Sequence, residues 1–120
     1  MVPKEMIHYG FSKAGQLAIS SGLAQLTKGT GVTVNSVLPG PTQTDSVITF
    51  MKNLVEDGDS KDADAIGRDF IGEHRPSSLL GRLIKPEEVA SLVAYVASPL
   101  SAATNGAALR AEGGLVQSII

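Results

Sequence analysis

The chain has 120 residues, 42% of them hydrophobic and 18% charged, with ten Lys and Arg against twelve Asp and Glu and no cysteine. A net charge of −2 excludes a surface built to bind phosphate backbones, so no nucleic-acid partner is expected. The missing thiols exclude disulfide frameworks, thiolate zinc sites and cysteine nucleophiles. The length suits one modest domain at most. Charge is unevenly spread: residues 6–44 carry only Lys13 and Lys28, and residues 89–111 only Arg110. Residues 52–75, by contrast, carry seven acids (Glu56, Asp57, Asp59, Asp62, Asp64, Asp69, Glu73) and four bases. Two nearly uncharged blocks around a charged middle predict buried elements flanking a solvated excursion.

In chain order, residues 9–28 form the longest helical candidate. Its apolar positions, from Ala14 and Leu17 through Leu23 and Leu26, make no single narrow stripe, so burial on several sides is expected. Gly29 and Gly31 supply the stop. Residues 32–38, Val-Thr-Val-Asn-Ser-Val-Leu, read as a buried strand that runs into the Pro39-Gly40-Pro41 turn. Residues 45–55 place Val47, Ile48, Phe50, Met51, Leu54 and Val55 at helical spacing, and residues 62–73 form a weaker helix. Pro86-Glu87-Glu88 marks a helix first turn, although Lys85 is a poor cap in front of it. Asn105-Gly106 turns into a strand over 107–111, closed by Gly113-Gly114. Helices interleaved with two strands give an α/β class with a parallel sheet. Two parallel strands alone are rarely stable, so a further part of the sheet is expected upstream.

The chemistry concentrates at two places. Tyr9 and Lys13 stand four apart on one helix face, and a neighbouring ammonium favours the phenolate form of a tyrosine, which suits proton transfer. Residues 34–44, Val-Asn-Ser-Val-Leu-Pro-Gly-Pro-Thr-Gln-Thr, put a rigid turn and two hydroxyls at the carboxyl end of a strand, where open α/β sheets bind ligands. His8 and His74 lack partners at metal-ligand spacing, so no metal is expected. No segment reaches the length of a membrane span. With no thiol and no Asn-x-Ser/Thr acceptor, a cytoplasmic location is expected.

The Tyr9-Gly10-Phe11-Ser12-Lys13 run, the Val-Asn-x-Val-x-Pro-Gly run and the Gly113-Gly114 pair, in this order and spacing, resemble the short-chain dehydrogenase/reductases. The resemblance covers essentially the whole chain. It implies the carboxyl-terminal half of one Rossmann-like, doubly wound domain. Residues 9–28 would be its catalytic helix, 32–44 its strand and nicotinamide turn, 45–80 its substrate lid, and 86–114 its last helix and strand. It implies NAD or NADP as cofactor and a small carbonyl or alcohol substrate. Tyr9 would be the acid/base. Lys13 would bond the nicotinamide ribose and tune Tyr9. Pro39, Gly40 and Thr42, with the Thr44 side chain, would clasp the carboxamide. Val47, Phe50, Met51 and Phe70 would either line the substrate pocket or form the lid's own core.

The four-residue step from Tyr9 to Lys13 is shorter than in enoyl reductase relatives, which implies carbonyl chemistry. The chain departs from the family pattern in having no G-x-G-x-x-G, in leaving only eight residues before Tyr9 for the catalytic serine, and in Glu112 where aspartate is usual. The missing cradle and serine lead to the expectation that the lone chain is inactive, and half a sheet, which leaves an apolar edge and face exposed, to the expectation of either an oligomer through helix 9–28 or a poorly folded monomer. The alternative from another class is a non-catalytic remnant serving as an association module.

Overall fold

The computed structural model describes residues 4–55 and 57–118; Glu56 of the acidic segment lies outside them. Among the described residues four α-helices and two β-strands follow in order, α1 (Ile7–Leu26), β1 (Ser36–Pro39), α2 (Asp45–Lys52), α3 (Ala63–His74), α4 (Pro86–Val96) and β2 (Ala108–Ala111), with short 3-10 turns between some of them. β1 and β2 pair into a two-stranded sheet. Their direction is parallel, since the N–H groups of Ser36 and Gly40 donate in step to the carbonyls of Ala107 and Ala111. The chain divides into two compact units, one of residues up to Val37 with Ala94–Leu109, the other of Leu38–Val93 with residues from Arg110 onward.

In the first unit α1 ends at Leu26, and Gly29 takes a left-handed φ of 77° just beyond it. Only Ala24 is buried on this helix, and Gly10, Gly15, Leu17 and Ser20 are among its half-buried residues. That corrects the expectation of burial on several sides. The residues at seven- and three-or-four-residue spacing make one narrow covered face of mostly small side chains, while Ile7, Phe11, Ile19 and Leu26 lie exposed. The strand expected over 32–38 is also shorter and only half-buried. Its first residues take side-chain partners beside a single backbone bond, from the Gly106 N–H to the Val34 carbonyl at 2.9 Å. Asn105 Oδ1 accepts the Val34 N–H at 2.8 Å, and Asn105 Nδ2 donates to Thr27 Oγ1 at 2.8 Å. Asn35 reciprocates, donating to the Thr104 carbonyl at 2.8 Å and accepting the Ala107 N–H at 3.1 Å. Two asparagines thus tie the helix end, the strand entry and the 104–107 turn together, because an amide side chain can donate and accept at once.

The second unit holds the hydrophobic core. Met51, Val55, Ile66, Phe70, Ile71 and Leu83 form one buried cluster, with Val47 and Ile48 packed against it. Both helices that supply it start on a side-chain cap: Thr44 accepts the Val47 N–H, and Asp62 accepts the Ala65 N–H at 2.7 Å. Asp, Arg and Glu occupy the outer face of α3 while Ile66, Gly67, Phe70 and Ile71 occupy the inner one, the 3.6-residue alternation that lets a charged helix bury a stripe. The charged middle is therefore no open excursion but the best-packed part of the chain.

Candidate active site

Tyr9 and Lys13 lie one turn apart near the start of α1. Lys13 Nζ sits over the Tyr9 ring, 5.3 Å from its centroid, a cation–π contact. Tyr9 is half-exposed at 49%, so the phenol is open to a reactant. Ser12, between them, turns its hydroxyl back to the Tyr9 carbonyl at 2.8 Å. Helical periodicity alone creates this pair, and no other charged side chain stands on α1.

The Pro39–Thr44 turn gathers the remaining predicted residues. Gly40 donates its N–H to the Ala111 carbonyl at 3.0 Å, and the Thr42 hydroxyl donates to the Gly40 carbonyl at 2.9 Å. A Cβ at Gly40 would stand 2.8 Å from Glu112 Cα, so glycine is required for the two chain segments to approach this closely. Thr42 and Ile84 form an isolated parallel bridge, with Ile84 N–H on the Pro41 carbonyl and Gln43 N–H on the Ile84 carbonyl. Most backbone groups of the turn are thus taken up in holding its shape. Thr44 Oγ1 caps α2 and lies 3.3 Å from Ser46 Oγ. With Ser46 as donor in that pair, the Thr44 hydroxyl keeps its own proton to offer.

Beside this turn lies an open groove of about 480 Å³, lined among others by Gln43, Thr44, Ile48, Lys52, Lys85 and Glu87. Of the four apolar lid residues singled out from the sequence, Met51 and Phe70 are core and Val47 packs on it. Phe50 is 60% exposed. The groove therefore takes Ile48 from α2, a residue the helical pattern placed on the same element without a distinct role.

Sequence reasoning missed the groups that fix the rim of this site. Arg82 donates from Nη1 and Nη2 to both carboxylate oxygens of Glu88, at 2.9 and 2.7 Å, and the Lys85 N–H donates to the same carboxylate at 2.8 Å. The Arg82 hydrogen bonds, then the Lys85 N–H, lower the Glu88 pKa from 4.5 to about 2, and Glu88 in turn raises that of Arg82. This is half of a capping box: Glu88 reaches back to the N–H of the residue before α4, and its own N–H, which a capping side chain at Lys85 would otherwise take, donates to the Lys85 carbonyl at 3.0 Å. The signal was a glutamate three residues after the cap position. Glu112, noted only as a departure from a family habit, accepts the N–H groups of Leu115 and Val116. Among the described residues no three His, Asp or Glu side chains gather as metal ligands, and no helix is long and apolar enough to cross a membrane.

A family model described as enoyl-(acyl carrier protein) reductase matches residues 1–116. The chain is 50% identical over 119 residues to an uncharacterized oxidoreductase, YvaG, of Bacillus subtilis, spanning 99% of this chain and 45% of that protein. It is 33% identical over 112 residues to the 3-oxoacyl-(acyl-carrier-protein) reductase FabG of Vibrio cholerae, spanning 90% of this chain and 38% of that one. Among solved structures, the L-sorbose reductase of Gluconobacter frateurii, complexed with NADPH and L-sorbose, matches with a TM-score of 0.78 at 26% identity. That match covers 92% of this chain and 41% of the other. The chain spans less than half the length of the curated relatives it matches.

Proposed function

The chain belongs to the short-chain dehydrogenase/reductase family, and from that premise we propose that it supplies the acid/base half of an NAD(P)-dependent transfer of hydride between cofactor and a carbonyl or alcohol carbon. The observation that carries this reading is the Tyr9–Lys13 pair, a half-exposed phenol with an ammonium 5.3 Å from its ring on one helix face. In the reducing direction Tyr9 gives its hydroxyl proton to the substrate oxygen as that oxygen gains negative charge. Lys13 then offsets the charge left on the phenol oxygen. In the oxidising direction Tyr9 takes the proton back.

A nicotinamide, when bound, supplies or accepts the hydride. In this chain Lys13 would hold its ribose, and Pro39, Gly40, Thr42 and the Thr44 hydroxyl its carboxamide. The hydrogen-bond inventory of the turn fits that role through Thr44, whose proton is not needed for capping α2. Because residues 1–120 contain no G-x-G-x-x-G cradle for a pyrophosphate, we propose that they do not turn over by themselves.

The matched family model carries an enoyl reductase description, and the step from Tyr9 to Lys13 supports carbonyl chemistry instead, as do relatives described as ketoacyl reductases. The test joins this chain to the portion of the Bacillus subtilis relative that it does not span. A ketone or 3-oxoacyl thioester should consume NADPH or NADH, and an α,β-unsaturated thioester should not. Enoyl reduction without ketone reduction overturns the carbonyl reading.

A second reading has its own observation. α1 leaves Phe11 81% and Leu26 79% exposed, and a Cβ built at Gly15 or Gly22 meets nothing within 4 Å. That surface supports association through helix 9–28, with a second copy as partner. Sedimentation of the chain at rising concentration tests it, and a monodisperse monomer throughout counts against it.

A further inference from the structure

The end of β2 holds the return of the lid as well as its own turn. Gly113 and Gly114 both take left-handed φ values, 69° and 71°, which turn the chain sharply after Glu112. The Glu112 carboxylate closes that turn by accepting the N–H groups of Leu115 and Val116. Onto the closed turn the segment before Gly81 is fastened at three points. Leu80 donates its N–H to the Gly113 carbonyl at 3.0 Å, and Ser77 donates its hydroxyl to the Leu115 carbonyl at 3.0 Å. The third point is steric. A Cβ at Gly114 would stand 2.7 Å from Leu79 Cγ, and one at Gly113 would stand 2.9 Å from Leu80 Cβ, so these leucines lie directly on the bare glycine backbone. Leu79 is nevertheless 86% exposed, so burial does little to hold it there.

We infer that Glu112, Gly113 and Gly114 form a latch that holds residues 77–80, the return of the lid, to the end of β2. The latch explains why two glycines stand together where one would suffice for a turn: the first carries the hydrogen-bonded carbonyl and both leave room for a leucine. It also gives Ser77 and Leu79, outside the buried core, a defined position without core packing. Opening it frees residues 77–80 while the Met51–Ile66–Phe70–Leu83 cluster stays intact, because that cluster shares no side chain with the latch. The lid therefore has a fixed core and a separately releasable base.

Amide hydrogen exchange on the 120-residue chain tests this. The Leu80 amide should be protected, and Gly114→Ala should accelerate its exchange by about tenfold or more, because a Cβ displaces Leu79 and the left-handed backbone is strained at once. Ser77→Ala, which removes one bond and adds no bulk, should accelerate it by about two- to fivefold. Ile66 and Ile71 amides should not change in either variant. An unprotected Leu80 amide in the parent chain overturns the latch. Equal acceleration at Ile66 and Leu80 overturns it too, since the segment would then open only with the core. Should Gly114→Ala fail to fold, an unchanged Leu80 rate in Ser77→Ala is the contradicting result.

Discussion

The helix α1 and the pair α2–α3 invert the usual link between charge and exposure. α1 carries one charged residue, Lys13, in twenty and buries only Ala24. The segment with seven acids and four bases supplies much of the buried core. Charge density along a chain measures how much of a surface is neutral, whereas burial follows how the apolar residues are arranged around the helix. On α3 they fall on one side. On α1 they are spread round the circumference among Ser, Gly, Ala and Gln, so one narrow face of small residues is covered and the large side chains look outward.

The largest expected effect separating the two regions comes from shortening an isoleucine in each. Ile66 is fully buried, and Ile66→Ala should cost about 2–5 kcal/mol of unfolding free energy. Ile19 is 64% exposed, and Ile19→Ala should stay within about 0.5 kcal/mol. Urea unfolding of the two variants checks this, and equal losses would erase the distinction. Next comes Gly67→Ala, in which the new methyl would meet Leu83 Cγ at 2.8 Å inside the core. Overpacking there should cost about 1–3 kcal/mol, read as a lower urea midpoint at unchanged slope. On the neutral region Phe11→Asp should leave the fold unchanged and lower the sedimentation coefficient of any oligomer built on α1. An unchanged oligomer would remove α1 from the interface.

The smallest effect is electrostatic and lies in the charged region. Glu88 has its pKa depressed from 4.5 to about 2 by Arg82 and the Lys85 N–H, so folding favours its ionised form. Its stabilising contribution is complete above the unfolded value near 4.5 and disappears as pH falls through about 2. The melting temperature of Glu88→Gln should therefore lie slightly below that of the parent at pH 7 and converge with it toward pH 2. Both side chains are partly exposed, 38% for Arg82 and 44% for Glu88, which keeps the difference small and salt-sensitive. A difference that grows on acidification has the wrong sign.

Element types and order were legible in the sequence, because helical spacing and the Gly and Pro punctuation are local properties. Pro86-Glu87-Glu88 marked the first residue of α4, and Asp62 stood one residue before α3. The strand at 32–38 was overextended because β-branched residues signal extended chain, while only partner hydrogen bonds decide which part becomes ladder. Asn35 and Asn105 took over the rest through side chains seventy residues apart. The Tyr9–Lys13 pair was legible for the same reason as the helices, being four residues apart on one of them. Arg82–Glu88 and the Glu112 turn were not, although their partners stand within six residues, since each depends on a local loop conformation that no helical or strand period marks.

The assignment of Tyr9 as the acid/base is tested most directly by Tyr9→Phe in this chain joined to the portion of the Bacillus subtilis relative it does not span. The substitution removes one oxygen and leaves the ring under Lys13. Ketone-dependent oxidation of NADPH or NADH should fall about 10²–10⁴-fold in kcat while the fold, read by its urea midpoint, is retained. A kcat within about twofold of the parent would contradict a proton-transfer role for Tyr9.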